Sequence, residues 1–226
     1  MIRVTENFRT IQNLLTQAAS DAGRCKEEIR LLAISKKQPV ESILQAASVG
    51  QRDFGENFVQ EGLKKMEDID RDDLIWHFTG HLQSNKTKFI AERFHWIHTV
   101  DRLKIAERLS QYRPHYANDL NVCIQVNIGE EITKGGVTAA EVPKLAQAIC
   151  ELKGLRLRGL MCIPAIQHSF EEQRKPFAKI RILSESLQKL GISTDTLSMG
   201  MTADYVAAIH EGATIVRIGT ALFGTR

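Results

Sequence analysis

The chain has 226 residues, 43% of them hydrophobic and 25% charged, with 30 Lys and Arg against 27 Asp and Glu for a net charge of +3. That length suits one α/β domain spanning 1–226, which folding would bury to roughly 70% of its unfolded surface without help from disulfides or a structural metal. No stretch reaches the ~20 apolar residues of a membrane span, the opening MIRVTENFRTIQNLL is patterned as an amphipathic helix rather than an export signal, and basic residues alternate with acidic ones, so a cytoplasmic protein without membrane or nucleic-acid partners is expected.

Apolar, β-rich runs alternate with helically spaced segments along the whole chain. A helix is predicted over 4–19, then a strand over 31–36, a helix over 40–49, a strand over 52–56 and a helix over 58–67. A strand over 74–80, a helix over 82–93, a strand over 96–101, a helix over 102–111 and a strand over 121–128 follow. The remainder reads as a helix over 139–152, a strand over 157–164, a helix over 170–190, a strand over 196–201, a helix over 203–210 and a strand over 214–219. Asn57 with Gln60 has the pattern of a capping box, and Gly191 and Gly212 stand where helices should stop. Eight strands separated by helices are what a closed parallel (β/α)8 TIM-type barrel needs, here with an additional N-terminal helix. The rival is an open doubly wound sheet, but no G-x-G-x-x-G follows the first strand.

Barrels of this kind carry function at the C-terminal ends of their strands. Lys36 closes the first strand in line with Leu32 and Ile34, on the face that alternation turns inward. Partial desolvation there would free its amine to attack a carbonyl; the bland reading is a lysine that snorkels to the rim. Lys37 points the other way, toward solvent. Ser198, Gly200 and Thr202 precede a helix, and Gly219 with Thr220 repeats that chemistry next door. These are the loops that bind phosphate in many barrels. Joined to a lysine on the neighbouring first strand, they describe a phosphorylated aldehyde held by its phosphate at one end and by a lysine imine at the other. Arg217 shares the parity of Ile215 and Gly219, and a buried guanidinium must find an acceptor. Either a strand-end carboxylate such as Glu56 or a pyridine nitrogen would serve.

The runs LLAISKKQP, FGENFVQE, WHFTGHLQSNK, LRGLMCIP, LSMGMTADYVAAI and VRIGTALFG, in that order, span nearly the whole chain. They resemble the signature blocks of the pyridoxal 5′-phosphate homeostasis protein family, whose fold is similar to the N-terminal domain of alanine racemase. The resemblance implies pyridoxal 5′-phosphate bound through an imine to Lys36, phosphate held by Ser198, Gly219 and Thr220, Arg217 facing the pyridine nitrogen, and Asn57, His77 and Met161 lining the cofactor. It also implies a role in intracellular vitamin B6 and amino-acid homeostasis with little or no catalytic turnover, in a monomer whose recipients would be pyridoxal-phosphate-dependent apo-enzymes. Thr79 and His81 depart from the usual third block.

Two other functions fit parts of this pattern. An amino-acid racemase needs acid and base groups on opposite faces of a carbanion, and the second would come from a further β-rich domain not expected after a last strand at 214–219. A cofactor-free aldolase would not need Arg217. Other features carry less. His77 and His81 would stand about 13 Å apart on a strand, too far to share a metal. His95, Trp96 and His98 read as packing and rim, Asp101 as a helix cap, and Lys134 beside Gly135 and Gly136 as a loop lysine. Cys25, Cys123, Cys150 and Cys162 read as small buried hydrophobes.

Overall fold

The computed structural model describes residues 4–129 and 135–224, and within them eight parallel strands close into a barrel in chain order. The strands are β1 (Arg30–Ile34), β2 (Asp53–Glu56), β3 (Ile75–Phe78), β4 (Trp96–Val100), β5 (Leu120–Val126), β6 (Leu155–Cys162), β7 (Thr196–Ser198) and β8 (Ile215–Ile218). The helices are α1 (Val4–Asp21), α2 (Val40–Ser48), α3 (Val59–Ile69), α4 (Thr87–Arg93), α5 (Leu103–Tyr112), α6 (Val142–Cys150), α7 (Phe170–Lys189), α8 (Tyr205–His210) and α9 (Thr220–Phe223). Closure comes from β1 pairing β8, with Arg30 opposite Ile215 and Leu32 opposite Arg217.

Two apolar cores result. The larger fills the ring between strands and helices. α1 adds to it the face Val4, Phe8, Ile11, Leu15, Ala18 and Ala19, a helical spacing that keeps every large side chain on one side. At about 1.5–3 kcal/mol for each large side chain buried, that stripe holds a helix whose other face is polar. Asn7 Nδ2 also donates to Leu222 O at 3.0 Å, tying α1 to α9. The smaller core lies inside the barrel: Leu32, Trp96, Cys123, Met161 and Ile215, with Ile34 and Ile75 against them. The inward parity read for Leu32, Ile34 and Ile215 is thus the observed one.

Several local expectations are corrected. β1 stops at Ile34, so Lys36 stands in the turn beyond the strand, and β7 stops at Ser198. The segment 84–86 forms a 3-10 turn before α4, and α9 adds a helix where none was expected. Asn57 caps nothing, since α3 starts after Phe58 without a side-chain cap, and Asp101 pairs with Arg102 at 2.6 Å instead of capping α5. Cys123 and Cys162 are buried as expected, but Cys25 and Cys150 are exposed. Gly191 and Gly212 do end α7 and α8, at φ of 80° and 90°, conformations a side chain would strain. Lys134 lies outside the described residues.

Candidate functional site

The C-terminal ends of the strands enclose a cavity of about 210 Å³. Of the residues singled out from the sequence, Lys36, Asn57, Met161, Arg217, Gly219 and Thr220 line it, joined by Ile34, Thr79, Ile163, Met201 and Thr202. A larger groove of about 870 Å³ runs outside the barrel along α6 and the start of β6, remote from all of these.

Lys36 is half-buried, and the backbone that carries it is anchored on both sides. Ser35 N–H donates to Gly55 O at 2.9 Å, and Ser35 Oγ donates to Glu56 Oε1 at 2.6 Å. Lys65 Nζ donates to Ser35 O at 2.7 Å, to Glu56 Oε1 at 2.8 Å and to Glu61 Oε1 at 2.6 Å. Next in the chain, Lys37 takes a left-handed φ of 59° while its N–H donates to Glu61, and its side chain is exposed. The turn thus reverses within one residue, separating two adjacent lysines into cavity and solvent. Glu56 is fully buried, and burial raises its pKa above the ordinary carboxylate range against the pull of Lys65.

Arg217, 5% exposed, donates from Nη1 to Ser198 O at 2.6 Å and to Ser198 Oγ at 2.9 Å, and from Nη2 to Cys162 O at 2.9 Å. All three acceptors are neutral. The carboxylate alternative, Glu56, is taken by Lys65. Burial draws the guanidinium pKa down, yet arginine keeps its proton in proteins, so the cavity wall holds a cation with no bonded counter-ion among the described residues. Opposite it, Thr79 Oγ1 donates to Asn57 Oδ1 at 3.2 Å and orients that amide. Gly219 and Thr220 open α9, whose first N–H groups have no acceptor within the helix.

His77 and Ser198 are not among the cavity residues. Both are fully buried: strand parity turns them into the barrel interior, and they lie below the residues that line its mouth. Ser198 reaches the site only through Arg217. His77 stacks on Trp96, with ring centroids 5.4 Å apart at 10°, and bonds to Asp53 and His98. His98, read from the sequence as packing or rim, is instead fully buried and bonded to His77 and Ser198. Asp53, Lys65 and Glu61 were not singled out from the sequence, and nothing local marks them.

The alanine racemase N-terminal domain family matches residues 4–226. The pyridoxal phosphate homeostasis protein of Pseudomonas aeruginosa is 49% identical over 226 residues, covering 100% of this chain and 97% of the relative. The chain belongs to the pyridoxal phosphate homeostasis protein family. Among solved structures of similar chains, PipY of Synechococcus elongatus PCC7942 with PLP bound superposes with a TM-score of 0.81 at 35% identity, covering 93% of this chain and 100% of that one. Alanine racemase from Corynebacterium glutamicum, at 15% identity and a TM-score of 0.73 over 98% of this chain and 61% of that one, shows that this homeostasis-protein fold is also a racemase barrel. At that identity the likeness concerns the fold alone.

Proposed function

We propose that this chain binds pyridoxal phosphate at the barrel mouth, with Lys36 as its covalent anchor, and holds it in reserve inside the cell for apo-enzymes that need it, with little turnover of its own. The observation that carries this reading is a buried arginine whose partners among the described residues are all neutral acceptors, opening on the same 210 Å³ cavity as the half-buried Lys36. The residues present fit the group. An amine, a donor-only cation and a glycine-threonine helix start converge on one hollow, and a Cβ at Gly219 would press to 3.2 Å from Ile34 O. The names of the family's members and the PLP-bound relative support the same ligand.

When bound, pyridoxal phosphate supplies an aldehyde that links reversibly to an amine and a ring able to draw electrons from it. Lys36 lines the cavity, where its side-chain amine would meet the aldehyde. Asn57, held by Thr79, and Met161 line the wall, and the N–H groups of Gly219 and Thr220 would take the phosphate end, with Thr202 beside them. Arg217 donates and never accepts, so a ring nitrogen facing it stays unprotonated and the ring remains a weak electron sink. That arrangement favours holding the aldehyde over reacting through it.

Titration with pyridoxal phosphate followed by absorbance, then borohydride reduction and peptide mapping, tests this. Label on Lys36, lost in Lys36→Ala, is expected. Label on Lys37, or no absorbance change at all, would sink the proposal. Unphosphorylated pyridoxal should bind far more weakly, since charge-assisted bonds of about 1.5–3 kcal/mol each are at stake.

A further inference from the structure

Beneath the cavity a single file of hydrogen bonds crosses the barrel interior. Arg217 Nη1 lies 2.9 Å from Ser198 Oγ, Ser198 Oγ 2.7 Å from His98 Nδ1, His98 Nε2 2.9 Å from His77 Nδ1, and His77 Nε2 2.9 Å from Asp53 Oδ1. Ser198, His77 and His98 are fully buried. Asp53, at the far end and on the first residue of β2, is partly exposed and pairs with Arg30 at 3.2 Å.

The two ends determine the direction of every proton in between. A guanidinium can only donate and a carboxylate can only accept. His77 must therefore donate from Nε2 to Asp53. As a neutral ring it then accepts at Nδ1, so His98 donates from Nε2 and accepts at Nδ1. Ser198 is left to give its hydroxyl proton to His98 and its lone pair to Arg217. Neutral rings are what the site favours: burial lowers the pKa of both histidines, that of His98 well below its ordinary value, with His77 and Arg217 adding to the effect.

We propose that Asp53 and His98 are positioning residues for Arg217: through His77 and Ser198, the carboxylate at the opposite end of the barrel keeps the Ser198 lone pair turned to Nη1, leaving the other edge of the guanidinium for the ligand in the cavity. This rests on the reading of the cavity as a pyridoxal phosphate site. Without an acceptor at position 53 the file loses its direction. His98 can then carry its proton on Nδ1 and donate it to Ser198, whose own hydroxyl proton is displaced from that bond, so that nothing any longer fixes its remaining lone pair on Nη1.

The first test needs no variant and no cofactor. In histidine-labelled protein free of pyridoxal phosphate, long-range proton–nitrogen NMR should place the proton of both His77 and His98 on Nε2. Asp53→Leu should abolish that single tautomer and weaken pyridoxal phosphate binding about tenfold, the effect of losing one bond to a charged group. It should also shift the nitrogen-15 signal of ring-labelled pyridoxal phosphate, with Lys36 still the residue labelled. Asp53→Asn, which keeps an oxygen acceptor, should restore the tautomers and most of the affinity. Should Asp53→Leu fail to fold, Ser198→Ala cuts the file next to Arg217 and should give the same loss of affinity and the same ring-nitrogen shift. A proton on Nδ1 of either histidine in the unsubstituted protein would overturn the proposal, as would wild-type affinity and an unshifted ring nitrogen in the folded variant. If the unsubstituted protein failed to bind pyridoxal phosphate, the cofactor reading itself would fall. The tautomers measured without cofactor keep those two failures apart.

Discussion

Replacing Lys65 by methionine removes the ammonium that bonds at once to Ser35 O, Glu56 Oε1 and Glu61 Oε1. Glu56 would be stranded: it is fully buried, and its Oε2 already has no hydrogen-bond partner among the described residues. Breaking a buried pair by deleting one partner costs about 3–5 kcal/mol. The carboxyl has an escape, because it can take a proton. For a group with the ordinary value of 4.5, that costs about 3.4 kcal/mol at pH 7, and less for one whose pKa burial has raised. The expected loss at pH 7 is therefore about 3 kcal/mol. In Lys65→Met the folded state holds the Glu56 proton more tightly than the unfolded chain does, so this penalty should shrink toward pH 5 and grow toward pH 8. Urea denaturation at those three pH values measures it, and Lys65→Met with Glu56→Gln should recover most of the stability. A loss below about 1 kcal/mol at pH 7, or one of the same size at pH 5 and pH 8, would refute the account of a charged, buried Glu56.

Other outcomes follow from the fold. Because both buried histidines bind protons more weakly than in the unfolded chain, stability should fall as pH drops below the ordinary 6.5, with a slope approaching about 1.4 kcal/mol per pH unit for each ring that stays neutral; urea curves at pH 7 and 5.5 that coincide would contradict this. Gly159→Ala should cost about 3 kcal/mol or more in chemical denaturation, since its Cβ would lie 1.9 Å from Thr196 O at a φ of +155°, and a cost under about 1 kcal/mol would mean that β6 and β7 pack otherwise. Under native conditions a disulfide-exchange reagent should modify Cys25 and Cys150 quickly, while Cys123 and Cys162, buried and pushed up to about 12, react only on unfolding. Fast modification of all four would show that the interior opens readily.

The strand count and the barrel were legible because each strand is a short apolar run set off by a helix of different period, and both signals are local. Lys36 and Arg217 stood out as single charges within such runs, at the parity of their inward neighbours. Parity has no depth, however. It points His77 and Ser198 inward without saying whether they reach the mouth or stop a layer below it. Only the capping role of Asn57 was misread, because a capping pattern and a cavity-lining amide look alike until Thr79, 22 residues on, takes hold of the side chain. The Asp53 file was beyond reach for the same reason: its members come from five strands, and His98 and Ser198 are 100 residues apart.

The seam between β1 and β8 has a thermodynamic consequence. It joins the first and last strands, and it brings Lys36 and Arg217 onto one cavity. A ligand that bridges those residues acts as a clasp on the ring, and it binds only when the ring is shut. Its stabilisation, RT ln(1 + [L]/Kd), then falls on any opening that parts β1 from β8. Amide hydrogen exchange at Leu31, Leu32, Val216 and Arg217 should slow with ligand concentration more than at the middle of β5, far from the seam. Cofactor occupancy and barrel closure would then be two readings of a single equilibrium.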